Sequence, residues 1–593
     1  MYFDIFVIPF SAGFIFLFVF LIYTFSRWIH KLTPENKEKL KKSFFSKRFF
    51  VSVKEIFSEC LLHRKIFKVN PLLGYMHMSL AFGWLLLIIG GNLETRLYSQ
   101  NPINPPYYPI FFKFFDPVPG DFLFSGFFEF LMDLLLLFIL SGVFLAYIKR
   151  FRSSMLGMKK TTKLKPFDKL ALASLWVIFP FRLLAESFTS GAFHHGGFMT
   201  GSLGLFFASF LPVAKLYYPA WWAYSFALCG FFFALPFSRY MHIPTEALLI
   251  FMRNAGITQS KEENSFAEVE INACSRCGVC IDTCQLASAA DISNVQTVYF
   301  IRDVRHHSLK AETANNCLMC GRCDQICPVG IDAKILRQSE RTKFDYTGTN
   351  SLNYISVKNI SKADVIYFAG CMTHLTPTIK ISMEKILKAS NEKYLFMDKD
   401  GSICCGRPTM LAGQMDAANQ LIQKNKEIIQ LSEAKVLVTS CPICYKVFTE
   451  EYKLDIEVLH HSQYLLQLLN NGKIEVERKE FKAIFHDPCE LGRGMNIYNE
   501  PRVLINKITT LEHSNFDKEN AMCCGGSIGN SVISDEKRNS ITKNTLSKIL
   551  TDQEQTLITA CPLCKKTFGK YHHKTEDISQ VIASALKKIT VTR

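Results

Sequence analysis

Eighteen of the chain's 20 cysteines stand in two kinds of metal-binding pattern. Cys274, Cys277, Cys280 and Cys284 follow C-x2-C-x2-C-x3-C; Cys317, Cys320, Cys323 and Cys327 repeat it, with Pro328 next. A five-cysteine pattern also occurs twice. It comprises Cys371, Cys404-Cys405-Gly406 and Cys441-x2-Cys444, then Cys489, Cys523-Cys524-Gly525 and Cys561-x2-Cys564. Thiolates ligate both iron–sulfur clusters and zinc. Three ligands crowded on one short loop suit the corner of a cubane cluster better than a lone tetrahedral ion. Adjacent cysteines likewise fit one compact ion poorly. The chemistry indicated is electron transfer. Paired C-x2-C groups point to metal ligation in a reducing compartment rather than to disulfides. Only Cys60 and Cys229 stand outside the patterns, as ordinary thiols.

Two scaffolds must hold these ligands. The five-cysteine patterns form an internal repeat. Matching positions lie 118 (Cys371 to Cys489), 119 (Cys404 to Cys523) and 120 (Cys441 to Cys561) residues apart. The flanks agree: VIYFAGCM with KAIFHDPCE, and KVLVTSCPICYKVF with TLITACPLCKKTF. Each of these runs is short, apolar and rich in β-branched residues, as expected of a buried parallel strand. Helical stretches intervene at 410–432 and 535–550. The alternation predicts two related α/β lobes with ligands at strand ends. His374, His486 and Asp487 lie beside the first cysteines, placed to tune a cluster or move a proton, or to serve structure alone.

The first 250 residues are different. Of 593 residues 49% are hydrophobic and 52 are phenylalanine, concentrated before residue 250. About twenty apolar residues cross a bilayer as a helix, and five such runs occur, at about 5–25, 71–92, 125–148, 168–188 and 218–239. The first lacks a basic n-region and a small-residue cleavage site, so it reads as an anchor rather than a signal peptide. Basic residues crowd the loop between the first two runs and the loop between the third and fourth (Lys149, Arg150, Arg152, Lys159, Lys160, Lys163, Lys165). The other two loops carry only Arg96, Lys113 and Lys215. The basic loops are therefore expected in the cytoplasm, with the N-terminus outside and every patterned cysteine inside. This accounts for much of the net charge of +16. No basic–aromatic interleaving of a nucleic-acid module is present, so no nucleic-acid partner is expected.

Ionisable groups in such runs suggest function. His77, near the inner end of the second run, and His242, past the end of the fifth, lie at similar depth. They could ligate one b-type haem from opposite faces, or cap helix ends. Arg182 and Glu186 could form an i,i+4 pair or line a quinone pocket. His194-His195-Gly-Gly could bind metal or quinone, or be a solvated loop.

Five runs with histidines on the second and fifth resemble the cytochrome b subunit of respiratory nitrate reductase and the membrane subunit of methanogen heterodisulfide reductase. LPFSRYMHI is similar to the segment that carries the inner haem ligand in such fusions. Those proteins usually hold two haems. The positions matching the outer ligands are here Leu87 and Tyr224, so the resemblance implies one haem b, near the cytoplasmic face. The eight-cysteine segment resembles the helical ferredoxin of succinate dehydrogenase and heterodisulfide reductase. It implies two cubane [4Fe–4S] clusters, one on Cys274, Cys277, Cys280 and Cys327, the other on Cys317, Cys320, Cys323 and Cys284. Gln285 stands where proline is commoner. The repeat resembles the CCG domain of heterodisulfide reductase, which implies a noncubane [4Fe–4S] cluster in each lobe, up to two in all.

The expected architecture is multidomain. A five-helix transmembrane bundle (1–250) precedes a helical two-cluster ferredoxin domain (251–345). A duplicated α/β CCG module (346–475 and 476–593) follows. The resemblance implies a heterodisulfide reductase-like oxidoreductase of the inner (cytoplasmic) membrane with its iron–sulfur domains in the cytoplasm. It would join the quinone (menaquinone) pool to a soluble flavoprotein, either an electron-transfer flavoprotein or a flavin dehydrogenase. No G-x-G-x-x-G follows an expected strand, so the flavin is expected on another chain. The alternatives are a quinol-dependent disulfide reductase and a redox sensor.

Overall fold

The computed structural model describes residues 3–101, 103–156, 164–259, 264–344, 360–401, 403–530 and 532–587. Lys159, Lys160 and Lys163, part of the connector after residue 250 and the expected boundary at 345/346 lie outside these residues. The chain divides into two compact units, Met1–Val279 with Pro328–Ile331, and Cys280–Cys327 with Asp332–Arg593.

In the first unit, Val7–Lys31, Pro71–Ser99, Ser125–Phe151, Pro166–Phe193 and Val213–Phe237 are long and apolar enough to cross a membrane. The shortest have 25 residues, a rise of about 37 Å. Local chemistry sets their starts: Asn70 accepts from Leu73 N at 3.0 Å ahead of Pro71, and Asp168 closes a capping box on Lys165 N at 3.0 Å ahead of the fourth helix. The first helix runs past its apolar stretch. Trp28 Nε1 and Lys31 Nζ each meet Glu268 at 2.8 Å. It leaves Phe14, Ile15, Phe18, Val19 and Ile22 exposed, an apolar face with no protein cover. The fifth helix closes in a tighter turn, Leu235–Phe237, and a second short turn, Arg239–Met241, leads into the helix His242–Asn254.

In the second unit short helices dominate in and just after the cluster segment, among them Gln285–Ser288, Thr297–Arg305, Arg322–Gln325 and Ala333–Arg341. Two parallel four-stranded sheets follow, of identical order. Strands β1 (Val365–Phe368), β2 (Tyr394–Phe396), β3 (Val436–Thr439) and β4 (Glu457–His460) align as β2-β1-β3-β4. Strands β5 (Ala483–His486), β6 (Leu511–Glu512), β7 (Thr556–Thr559) and β8 (Thr575–Asp577) align as β6-β5-β7-β8. The expected repeat of strand and helix is thus the observed fold. β1 and β5 are buried along their whole length, as central strands of a parallel sheet must be.

The two lobes share one apolar core, in which Tyr367, Leu465, Phe485 and Ile578 all take part. A fully buried His461 Nε2 donates to Asp577 Oδ1 at 3.1 Å across them. Arg341, 1% exposed, ties three parts of the unit together. Its guanidinium donates to Ala314 O and Asn315 O of the cluster segment (both 2.9 Å), to Leu411 O (2.6 Å) and to Gly529 O (2.7 Å). The planar five-donor fork suits such convergence of carbonyls.

Candidate metal centres

Each five-cysteine set is gathered by strand ends and helix starts. Cys371 opens a helical turn three residues after β1, and Cys441 follows β3 and precedes the helix Pro442–Glu450. The thiols touch in series: Cys371 with Cys404, Cys404 with Cys405, Cys405 with Cys444, and Cys444 with Cys441. In the second lobe Cys523, Cys524, Cys564 and Cys561 make the same chain, with Cys489 beside Cys523 and Cys524. Gly406 and Gly525 end the two Cys-Cys pairs at φ 86° and 90°, a backbone region that glycine enters without strain. A Cβ on Gly525 would lie 2.9 Å from Arg538 O and Thr542 Oγ1. The geometry shared by the two lobes therefore needs glycine at this point.

Among the described residues no three His, Cys, Asp or Glu side chains are arranged to hold a single metal ion. An all-thiolate set of five exceeds what one tetrahedral ion accepts. It fits a cluster, whose thiolates sit on different irons.

Cys284, Cys317, Cys320 and Cys323, the expected second cubane set, lie within one another's electrostatic reach in the second unit. Of the first set, Cys274 and Cys277 belong to the first unit and Cys280 and Cys327 to the second. The second set adjoins the second lobe. The Cys320 and Cys523 thiols are in hydrogen-bonding contact. Gln285, directly after Cys284, accepts from Cys523 N at 2.6 Å and donates to Thr545 Oγ1 at 2.8 Å. Its departure from proline in the sequence thus marks a packing contact.

The flanking residues make structural contacts. His486 Nε2 donates to Met522 O at 3.0 Å, and burial lowers its pKa to about 4, so the imidazole is neutral. Asp487 takes both Arg502 nitrogens at 2.7 Å and Lys518 N at 2.7 Å. His374 Nε2 stands 3.3 Å from Asp398, whose carboxylate accepts from Ala369 N and Gly370 N, each at 2.7 Å, and so holds the turn before Cys371. Asp398 lies 27 positions from that cysteine, and no spacing rule marks it.

In the first unit His77 is half-buried, with its Nε2 shielded from solvent and without a hydrogen-bond partner. His242 Nδ1 donates to Arg239 O at 2.7 Å, which leaves Nε2 as its basic nitrogen. Lys149, His63, His242 and Arg239 all act electrostatically on His77. An orphaned buried imidazole nitrogen, a second imidazole with a fixed tautomer and two nearby cations fit a haem with its carboxylates. His63 was not singled out by the sequence, yet its ring stacks on His77 at 5.3 Å. Arg276, between Cys274 and Cys277, forms a buried ion pair with Asp168 at 2.6 Å.

Comparison with known proteins agrees with this chemistry. Family models match a cysteine-rich CCG domain at residues 365–449 and 483–569 and a 4Fe-4S dicluster domain at 270–331. A dihydromethanophenazine:CoB–CoM heterodisulfide reductase subunit of Methanosarcina barkeri is 24% identical over 54% of this chain and 94% of its own. The chain is an iron–sulfur oxidoreductase subunit, similar to that of heterodisulfide reductase. Two relatives extend over the membrane-type helices as well. A probable iron–sulfur-binding oxidoreductase, FadF, of Bacillus subtilis is 21% identical over 97% of this chain and 96% of its own. The EtfAB:quinone oxidoreductase of Syntrophomonas wolfei is 19% identical over 87% and 88%.

The oxidoreductase surrounds its buried thiols with cations. Burial first, then Cys317 and Cys320, push the Cys284 thiol up to about 12. Burial and Glu490 push Cys489 to about 12 against Arg493 and Lys334. A thiol that ligates a cluster must be deprotonated, and the metal together with these cations would supply the compensating charge. Arg493 Nε donates to Cys320 O at 2.8 Å and Nη1 to Ala521 O at 2.7 Å. It bridges the cluster segment and the Cys-Cys loop of the second lobe.

Proposed function

We propose that the chain is a membrane-bound electron-transfer oxidoreductase that links the quinone (menaquinone) pool to a cytoplasmic flavoprotein. The carrying observation is the contact between the second cubane set and the second five-cysteine set, through Cys320, Cys523 and Gln285. Centres held this close can exchange electrons without the substrate moving between them. The similarity to an EtfAB:quinone oxidoreductase over most of both chains supports the two ends of the path.

Five apolar helices with lipid-type outer faces support a multi-pass span of the cytoplasmic membrane, and the two basic loops support a cytoplasmic location for the cysteines. His77 and His242 would hold one haem b, and Lys149 and Arg239 are the cations near His77. Cys274, Cys277, Cys280 and Cys327, and Cys284, Cys317, Cys320 and Cys323, would hold cubane [4Fe–4S] clusters; the two five-cysteine sets would hold noncubane ones. These groups supply one-electron chemistry, while the chain's residues fix their order, burial and charge. We assign the membrane domain to 1–250, the dicluster domain to 251–345 and the CCG lobes to 346–475 and 476–593.

The test uses anaerobically purified, metal-loaded full chain. Addition of a menaquinol analogue is expected to reduce the haem absorption and the cluster EPR signals together. Absence of both changes, with dithionite still reducing the protein and menaquinone failing to reoxidise it, overturns the quinone link. A second reading, a disulfide reductase, is favoured by the match to a heterodisulfide reductase subunit. Reoxidation of the reduced clusters by a thiol disulfide, and not by an oxidised flavoprotein, would select it.

A further inference from the structure

The first unit encloses a polar cavity apart from the haem and cluster sites proposed above. It is lined by Glu94, Lys113, Glu129, Arg182, Glu186 and His195, with Asp133 on its wall. It lies at the ends of the second and third helices that face the loops poor in basic residues. About 20 Å³ is open to the centre of a water molecule, which admits a water and no quinone ring. Charged groups inside an apolar helical bundle are costly, and chains of carboxylate and histidine in such places carry protons.

The groups form a series graded in exposure. At the rim His195 Nδ1 lies 3.1 Å from Glu129 Oε1, with side chains 31% and 22% exposed. Lys113 Nζ stands 3.3 Å from Glu129 and 3.9 Å from Glu94. Glu94 is 2% exposed, and its Oε1 has no hydrogen-bond partner. Lys113, Glu186, Arg182 and Glu129 are the charged groups that act on it. Arg182 Nε donates to Glu186 Oε1 at 2.8 Å and also bonds the buried Tyr224. Asp133 is saturated by Met199 N, Thr200 N and Thr200 Oγ1, so it closes the wall and takes no part.

We infer that this cluster is a proton-exchange site, with Glu94 as its central carrier, connecting the face opposite the basic loops to the interior of the helical unit. Its ligand is the proton, carried by a cavity water. Glu129 and His195 exchange with the aqueous phase. Glu94 then gains a proton through the water, and each proton passed inward is replaced from the rim. On the quinone reading proposed above, reduction of one quinone takes two electrons and two protons to give quinol. Its reversal releases the same, and this site handles the protons.

The test needs no quinone in its first arm. The full chain is reconstituted in sealed liposomes, with orientation scored by protease access to the cysteine-rich part. Infrared difference spectra are taken as pH is stepped on one side only. A carboxyl C=O band absent in Glu94→Gln is expected to follow the pH on the face opposite the cysteine-rich part. A band that follows the other face, or neither, overturns the inference. In the second arm, quinone-linked turnover is expected to fall at least tenfold in Glu94→Gln, with haem and iron contents retained, and to fall also in Glu129→Gln. Unchanged turnover in both variants overturns the relay. If the band responds as expected but the unaltered protein shows no quinone reaction, the proton site stands and the quinone reading falls.

Discussion

Replacing Asp168 by Asn removes one charge of a buried ion pair. Arg276 Nη1 and Asp168 Oδ2 are 2.6 Å apart, with side chains 3% and 1% exposed. At that distance the attraction is roughly 6 kcal/mol at an effective dielectric of about 20, set against the desolvation of both ions. Removing one partner of such a pair costs about 3–5 kcal/mol because the other charge stays buried and unpaired. Asparagine has one oxygen for the two backbone donors that Asp168 serves, Lys165 N at 3.0 Å on Oδ2 and Arg239 N at 2.7 Å on Oδ1, so one of these bonds is lost with the charge. Arg276 also sits at φ 51°, a left-handed residue costing about 1–2 kcal/mol that the pair offsets.

The loss therefore falls on the Cys274–Cys277 loop. Local opening there should rise about 100-fold, for ~3 kcal/mol. Amide exchange at residues 274–279 should accelerate while β1 and β5 stay protected. Iron and sulfide per chain should drop by the share of one cluster. The double variant Asp168→Asn with Arg276→Gln should recover the part of the loss that comes from the lone charge. Native exchange and iron content in Asp168→Asn, or a double variant worse than both singles, would refute the reasoning.

Other perturbations test other contacts. Gln285→Leu leaves Cys523 N without its acceptor and should cost about 1–3 kcal/mol, with a changed EPR signature of the second lobe; an unaltered spectrum and melting point would remove Gln285 from the contact. Arg493→Gln withdraws a positive charge beside Cys320 and Cys489. It should lower the potential of the adjacent cluster by roughly 70–100 mV, for a charge about 7–10 Å away at a dielectric near 20, as read by EPR-monitored redox titration. Arg341→Lys cannot span the four carbonyls and should destabilise the second unit by at least about 3 kcal/mol, checked by denaturant midpoint. Burial chiefly, helped by Glu59 and Glu55 and opposed by Arg253 and Lys65, raises the Glu246 carboxyl to about 8. Between the ordinary carboxyl value of 4.5 and 8 the folded state then holds a proton that the unfolded one lacks. Stability from this group is thus full at low pH and falls by about 1.4 kcal/mol per pH unit as pH rises through that window. Glu246→Gln should gain on the unaltered protein in melting temperature from pH 5.5 to 8, and a constant difference would refute the assignment.

The amino-acid sequence alone determined the ligand types, the duplication and the apolar helices. Each is written in local order: a cysteine spacing, a strand-length apolar run before a cysteine, a mainly apolar stretch of about twenty residues. These survive into the structure because a strand or helix forms over contiguous residues, and the lobes repeat because their flanks do. Arg182 and Glu186 could be paired from their spacing, and they are. The partners that orient the ligands left no such trace. Arg276 meets Asp168 108 positions away, Gln285 meets Cys523 238 away, and His461 meets Asp577 116 away. His195 read foremost as part of a solvated loop, and only packing set it against Glu129 on a buried cavity. A buried polar group must find a partner, but desolvation sets only that requirement; which distant residue meets it is decided when the helices and lobes pack.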